Sequence, residues 1–184
     1  ITPLEQVSES VLDSDAHLFD IRPAERFQYY DNKGFTHHKM FIAPNPLFGA
    51  IITYYLKEEP VEEAEVTLTI LDQRGSEIRR IEGTKKQGFN RLNWDLRHEG
   101  AIPGEEASRS IPRAPFVIPG EYTVKLAAAE TQITATVTVA LDPRIKTPEA
   151  ELIAQRDIAL ELNQMHGEGY RANQKIENLE KQIE

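Results

Sequence analysis

The chain has no cysteine in its 184 residues. That excludes a disulfide framework, a thiolate zinc site and a cysteine nucleophile together. Basic charge is also in deficit: 21 Lys and Arg stand against 30 Asp and Glu, a net charge of −9. Nucleic-acid binding rests on Lys and Arg contacts to phosphate, so no such partner is expected. No run of 18 apolar residues occurs, which removes a membrane-spanning helix from the expectations. A glycine-rich phosphate loop is missing too, and no cofactor is expected. What is present is ordinary for a globular chain: 40% hydrophobic and 28% charged residues, enough to close a core without staples. The length suits one domain plus a small addition. The first residue is Ile1 rather than Met, which reads as a processed or excised piece.

Thr2 as N-cap and Pro3 at the first helical position predict a short helix to about Leu12. The period then changes. Leu18-Phe19-Asp20-Ile21 reads as a short strand stopped by Pro23. Asn32-Lys33-Gly34 is a turn, and Met40-Phe41-Ile42-Ala43 is a second short apolar run. Ala50–Leu56 is apolar on both faces, so both are expected to be covered. Val66, Leu68 and Ile70 alternate with Thr67 and Thr69, Asp72-Gln73-Arg74-Gly75 is turn chemistry, and Glu77–Ile81 returns. Leu92, Trp94 and Leu96 alternate with Asn93, Asp95 and Arg97. Tyr122, Val124 and Leu126 form the next inward set, and Ile133 to Leu141 the last. Short strands with regular turns and no intervening helices predict an antiparallel sandwich. Between His98 and Pro115 the composition predicts a long loop.

Asp142-Pro143-Arg144 closes the β region. Thr147-Pro148-Glu149 opens a helix, with acids in its first turn. This helix is expected to end near Gly167-Glu168-Gly169, with His166 at its C-terminal end. A second helix follows, carrying Ala172, Ile176, Leu179 and Ile183 at heptad-like spacing. The expected architecture is a mainly β chain: an immunoglobulin or fibronectin III type sandwich with a short N-terminal helix and a C-terminal helical hairpin. Its parts are 1–15 (N-terminal linker and helix), 16–143 (sandwich) and 144–184 (helical tail).

Few residues invite a chemical reading. His37 and His38 are adjacent, so on a strand they would face opposite ways and could not easily share an ion; His17, His98 and His166 are isolated. Asp95, Arg97 and His98 resemble a polar catalytic cluster, with Asp95 and Arg97 on one face. The simpler account is a cross-strand ion pair opposite a core Trp94. Ser108 and Ser110 lack nucleophile-elbow glycines and an assignable base. Arg79-Arg80 and Lys85-Lys86 read as solvated faces. Phe27, Tyr29, Tyr30, Tyr54 and Tyr55 could make an aromatic platform for sugar. An intramolecular cover over the Ile51 and Tyr55 face, from the N-terminal segment or an adjoining domain, is the preferred account.

Two resemblances enter on these residues. Val66-x-Leu-x-Ile-Leu-Asp72-x-x-Gly75, Gly88-x-Asn-x-Leu-x-Trp94-Asp95 and Pro119-Gly120-Glu-Tyr122-Thr-Val-x-Leu126 resemble the immunoglobulin-like domain of flagellar-hook-capping proteins. A wider resemblance covers nearly the whole chain. It is carried by Ile1-Thr2-Pro3-Leu4, His17-Leu18-Phe19-Asp20-Ile21-Arg22-Pro23-Ala24, Asn45-Pro46-x-x-Gly49-Ala50-x-Ile52-x-Tyr54-Tyr55-Leu56-Lys57, Gly88-Phe-Asn90-Arg91-x-Asn93-Trp94-Asp95-Leu96-Arg97 and Asp142-Pro143-Arg144. These are similar to the C-terminal region of bacterial Asp-box (BNR) β-propeller proteins of the sortilin-like, glycosyl hydrolase-like group. The Asp-box motif itself, Ser-x-Asp-x-Gly-x-x-Trp, is absent here.

The resemblance implies a non-catalytic accessory or interaction module of a larger extracytoplasmic (periplasmic or secreted) protein, with the propeller of the same parent chain as its partner. No catalytic, cofactor or metal residues are expected. Possible interaction residues are Tyr29, Tyr30, Tyr55, Ile176, Leu179 and Ile183, the last three serving a protein partner or a homodimer through the C-terminal helix. Two alternatives stand beside this: a carbohydrate-binding module using the exposed aromatics, and, more weakly, a small metal-dependent hydrolase using His17, His37 or His38.

Overall fold

The computed structural model describes residues 2–27, 47–61, 63–102 and 113–183. In chain order the elements are α1 (Thr2–Glu5), α2 (Glu9–Asp13), β1 (Ala16–Leu18), β2 (Ala24–Arg26), β3 (Ala50–Leu56), β4 (Val66–Leu71), β5 (Glu77–Glu82), β6 (Gly88–Trp94), β7 (Gly120–Ala128), β8 (Thr131–Leu141) and α3 (Glu149–Ile183). Two sheets form, ordered β1-β3-β6 and β2-β8-β7-β4-β5. The chain is therefore mostly β, arranged as a sandwich with one helix at its C-terminal end.

Alternation in the sequence becomes the two walls of the core. On β3, Ile52, Tyr54 and Leu56 point inward with Trp94 of β6. From the other sheet come Val66, Leu68, Ile70, Val124, Leu126 and Val137. All of these are at most 2% exposed and belong to one cluster. Each such side chain contributes on the order of 1.5–3 kcal/mol by leaving water. The buried Tyr54 hydroxyl is not orphaned: it donates to the Thr84 carbonyl at 2.6 Å. Thr84 Oγ1 in turn donates to Asn90 Oδ1. At the β4–β5 turn, Asp72 Oδ1 accepts from the Arg74 and Ser76 amides, both at 2.8 Å, and Gly75 takes a φ of +79°.

Four expectations are corrected. First, the N-terminal helix is two short helices, because Ser8 re-caps the chain by accepting from the Val11 amide. Second, the sandwich is not wholly antiparallel: β2 pairs in parallel with β8, Ala24 opposite Val139. Leaving β1 in one sheet, the chain crosses past Pro23 to the edge of the other. Third, the strand itself ends at Trp94: Leu96 keeps the predicted alternation and is fully buried, but it does so from a turn at a φ of +58°.

Fourth, the C-terminal hairpin is one continuous helix. Gly167 and Gly169 do not end it. A Cβ at Gly167 would stand 2.9 Å from the Ala101 Cβ, so the glycine lets the helix lie close on the 99–102 segment. His166 is accordingly a mid-helix residue. The runs 103–112, with Ser108 and Ser110, and 28–46, with His37, His38, the Asn32-Lys33-Gly34 turn and Met40–Ala43, lie outside the described residues.

Candidate functional site

Among the described residues, three places hold side chains that the sequence singles out or that line a cleft beside them. The first is the outer face of the three-stranded sheet. Tyr55 and Phe89, opposite one another on β3 and β6, have ring centroids 5.6 Å apart. Phe19 stacks on Phe89 at 5.8 Å, and His17 meets Phe19 edge-on at 4.8 Å. The N-terminal segment supplies a cover: the Tyr55 hydroxyl donates to the Leu12 carbonyl, and Lys57 Nζ donates to that of Asp13. The Gln6 side chain accepts from the Asp20 amide. Phe19 is fully buried, but Phe89 remains 47% exposed. Tyr29 and Tyr30 lie outside the described residues.

The second place is a cleft of about 510 Å³ between the first half of α3 and the end of the sandwich, lined by Asp72, His98, Tyr122, Glu149, Arg156 and Asp157 among others. Two of its titratable groups are shifted by their surroundings. Burial, then the Arg156 charge, lowers the His98 pKa. The His98 Nε2 is buried and has no hydrogen-bond partner among the described residues. Burial pushes the Tyr122 hydroxyl up to about 12, and that hydroxyl donates to the Ile118 carbonyl at 2.7 Å. Arg156 is held by Asp157, Nε to Oδ1 at 2.8 Å.

The Asp95, Arg97 and His98 cluster is dispersed. Asp95 Oδ1 pairs with Arg79 Nη1 at 2.6 Å. Arg79 is on β5, so this bond ties the two sheets together instead of crossing strands within one. Arg79 is thus ion-paired and only partly exposed, whereas Arg80 is exposed and reaches the exposed Glu77. The turn at Leu96 sends Arg97 elsewhere: its guanidinium lies 3.5 Å from the Phe116 ring centroid and donates to the Ala114 carbonyl. Arg26 stacks on the same ring at 4.8 Å. Trp94 is fully buried, donates Nε1–H to the Arg97 carbonyl and packs on Tyr122 at 5.5 Å. It is a core residue. Among the described residues no group of three His, Asp or Glu side chains could hold a metal ion, and no helix is long and apolar enough to cross a membrane.

The third place is α3. Its inner side meets the sandwich. Leu152 is 7% exposed, and Ile153, Arg156 and Leu160 line the cleft. The Asn163 amide spans to the Glu99 carbonyl and the Ala101 amide. Ile176 and Leu179 are more than half exposed, as is an earlier set the sequence reading did not join to them: Ile158, Leu162 and Met165. Ile183 ends the helix, and its side chain lies outside what is described.

No family model and no curated protein matches the chain.

Proposed function

We propose that the chain is a non-catalytic accessory module of a larger extracytoplasmic propeller protein, built on a sandwich of immunoglobulin or fibronectin III type. The observation that carries the fold type is the Tyr122 hydroxyl bonded back to the Ile118 carbonyl near the start of β7. This is the geometry of a tyrosine corner, a hallmark of immunoglobulin-like sandwiches. The strand order supports it, with a short first strand shared between the sheets as β1 and β2. Two of the three side chains that resembled a catalytic cluster hold the fold: Asp95 joins the sheets and Arg97 pins the 113–118 segment, while the neighbouring Trp94 fills the core. Such a division of labour suits a module that positions or binds rather than reacts. The link to a propeller rests on the sequence resemblance.

Reading the coding sequence ahead of Ile1 tests this directly. Asp-box repeats there, followed by measurable binding between this module and the separately produced propeller, are the expected result. An upstream region without such repeats would overturn the propeller reading.

One observation favours a carbohydrate-binding module as the alternative: Phe89 is 47% exposed beside Tyr55, and an exposed aromatic ring offers a face to a sugar. A glycan array followed by Phe89→Ala separates the two. Binding that disappears in the variant would select the carbohydrate reading, and a blank array would remove it.

A further inference from the structure

The exposed apolar residues of α3 fall into a repeat. Ile158, Leu162, Met165, Gly169, Ala172, Ile176 and Leu179 follow one another at steps of four, three, four, three, four and three. Five of the seven are large, and each of those is between 54% and 65% exposed. The seventh step leads to Ile183. A period of 3.5 residues is the a/d pattern of a left-handed coiled coil. The docked side of the helix, Leu152, Ile153, Arg156, Leu160, Asn163 and Gly167, belongs to a different stripe. Leu160 and Leu162 are about 200° apart around the axis. The helix therefore packs on its own sandwich with one side and carries a continuous seam on the other. The Gly169 position has nothing within 4 Å, so the seam is open through its centre.

We propose that this seam is covered by the same seam of a second copy of the chain, forming a two-stranded coiled coil with the sandwiches on its outside. A partner must repeat at 3.5 residues over more than three heptads to fill these positions, and a second α3 does. The flanking charges agree. Although the chain is acidic, the positions beside the seam avoid like-charge contacts with a copy of themselves. In a parallel in-register pair, Glu161 faces His166, Glu168 faces Asn173 and Lys175 faces Glu180 of the second copy. In the antiparallel pair that matches Gly169 with Ala172, Glu168 faces Lys175. Opposite or neutral neighbours at these positions set partner choice in coiled coils. The inference stands on α3 alone and holds whether or not the module belongs to a propeller protein.

Sedimentation equilibrium on the full 184-residue chain, from micromolar to several hundred micromolar, tests it. The expected result is a concentration-dependent rise to twice the 20.9 kDa chain mass. The double variant Ile176→Glu, Leu179→Glu removes two apolar layers from each strand and is expected to weaken the dimer by about 100-fold or more. Both residues are exposed in the single chain, so its circular dichroism below the association range should match that of the unaltered protein. Lys181→Glu, off the seam on the same helix, is the control and should leave the association unchanged. A mass that stays monomeric throughout would overturn the proposal. So would a dimer that the double variant does not weaken, because the contact would then lie elsewhere.

Discussion

Tyr122 does two jobs with one side chain. Its ring packs on Trp94, and its hydroxyl holds the Ile118 carbonyl. Tyr122→Phe keeps the ring and strands the carbonyl, so denaturant unfolding should show a loss of about 1–3 kcal/mol. The pH dependence has a definite sign. Burial raises the Tyr122 pKa from 10.0 to about 12, so the folded state favours the neutral phenol. That stability is complete below pH 10 and is lost as pH rises toward 12. The gap between the natural chain and Tyr122→Phe should narrow over that range. Asp142 behaves in the opposite direction. The Arg144 side chain, which donates through Nε at 2.9 Å, and the Arg144 amide lower its pKa from 3.8 to about 2. Its contribution is complete above pH 4 and is lost as pH falls toward 2. Acid titration of the folded fraction should find Asp142→Asn already lacking this stability at neutral pH, with the two proteins converging near pH 2.

At the level of the elements, close approaches decide which residues are tolerated. Gly49 enters β3 at a φ of +108°, where a Cβ would sit 2.1 Å from the Trp94 carbonyl oxygen. Gly49→Ala is expected to cost well over about 1 kcal/mol, read as a lower thermal midpoint. Gly167 is a second such place, with a different consequence. Gly167→Val pushes α3 away from Ala101 and should speed hydrogen exchange at the Ala101 amide, which Asn163 otherwise protects. The sandwich amides should be unaffected. These elements also show where sequence is readable. The alternation of β4, β7 and β8 was plain because one face is buried and the period is two. β2 was not, since Ala24, Glu25 and Arg26 carry no pattern; pairing with β8 makes them a strand. The helix break expected at Gly167 and Gly169 followed propensity, which penalises each glycine by about 1 kcal/mol. Docking on Ala101 and helix formers on both sides outweigh it. A break there divides the apolar seam, so the sequence marks Ile176, Leu179 and Ile183 as interaction residues and leaves Ile158, Leu162 and Met165 on the far side of the expected break.

For the whole molecule, one tryptophan reports on the join between the sheets. Trp94 is fully buried, so its emission should be blue-shifted and resistant to acrylamide until the sandwich unfolds, in one transition with the loss of β circular dichroism. An exposed, quenchable Trp94 would contradict the core described above. What stayed illegible at this scale was the partnering of charge. Asp95 was rightly expected to be ion-paired, but its partner Arg79 comes from the other sheet, and no local spacing encodes which sheet lies opposite.

A helix of 35 residues is about 53 Å long, and Asn163 and Gly167 hold its middle against the 99–102 segment. Sixteen more helical residues, about 24 Å of helix, follow Gly167. By geometry alone, a change of 10° in the helix axis at Gly167 corresponds to about 4 Å at its last residue, so the direction of the whole second half of α3 is set by how closely a glycine lets it approach Ala101.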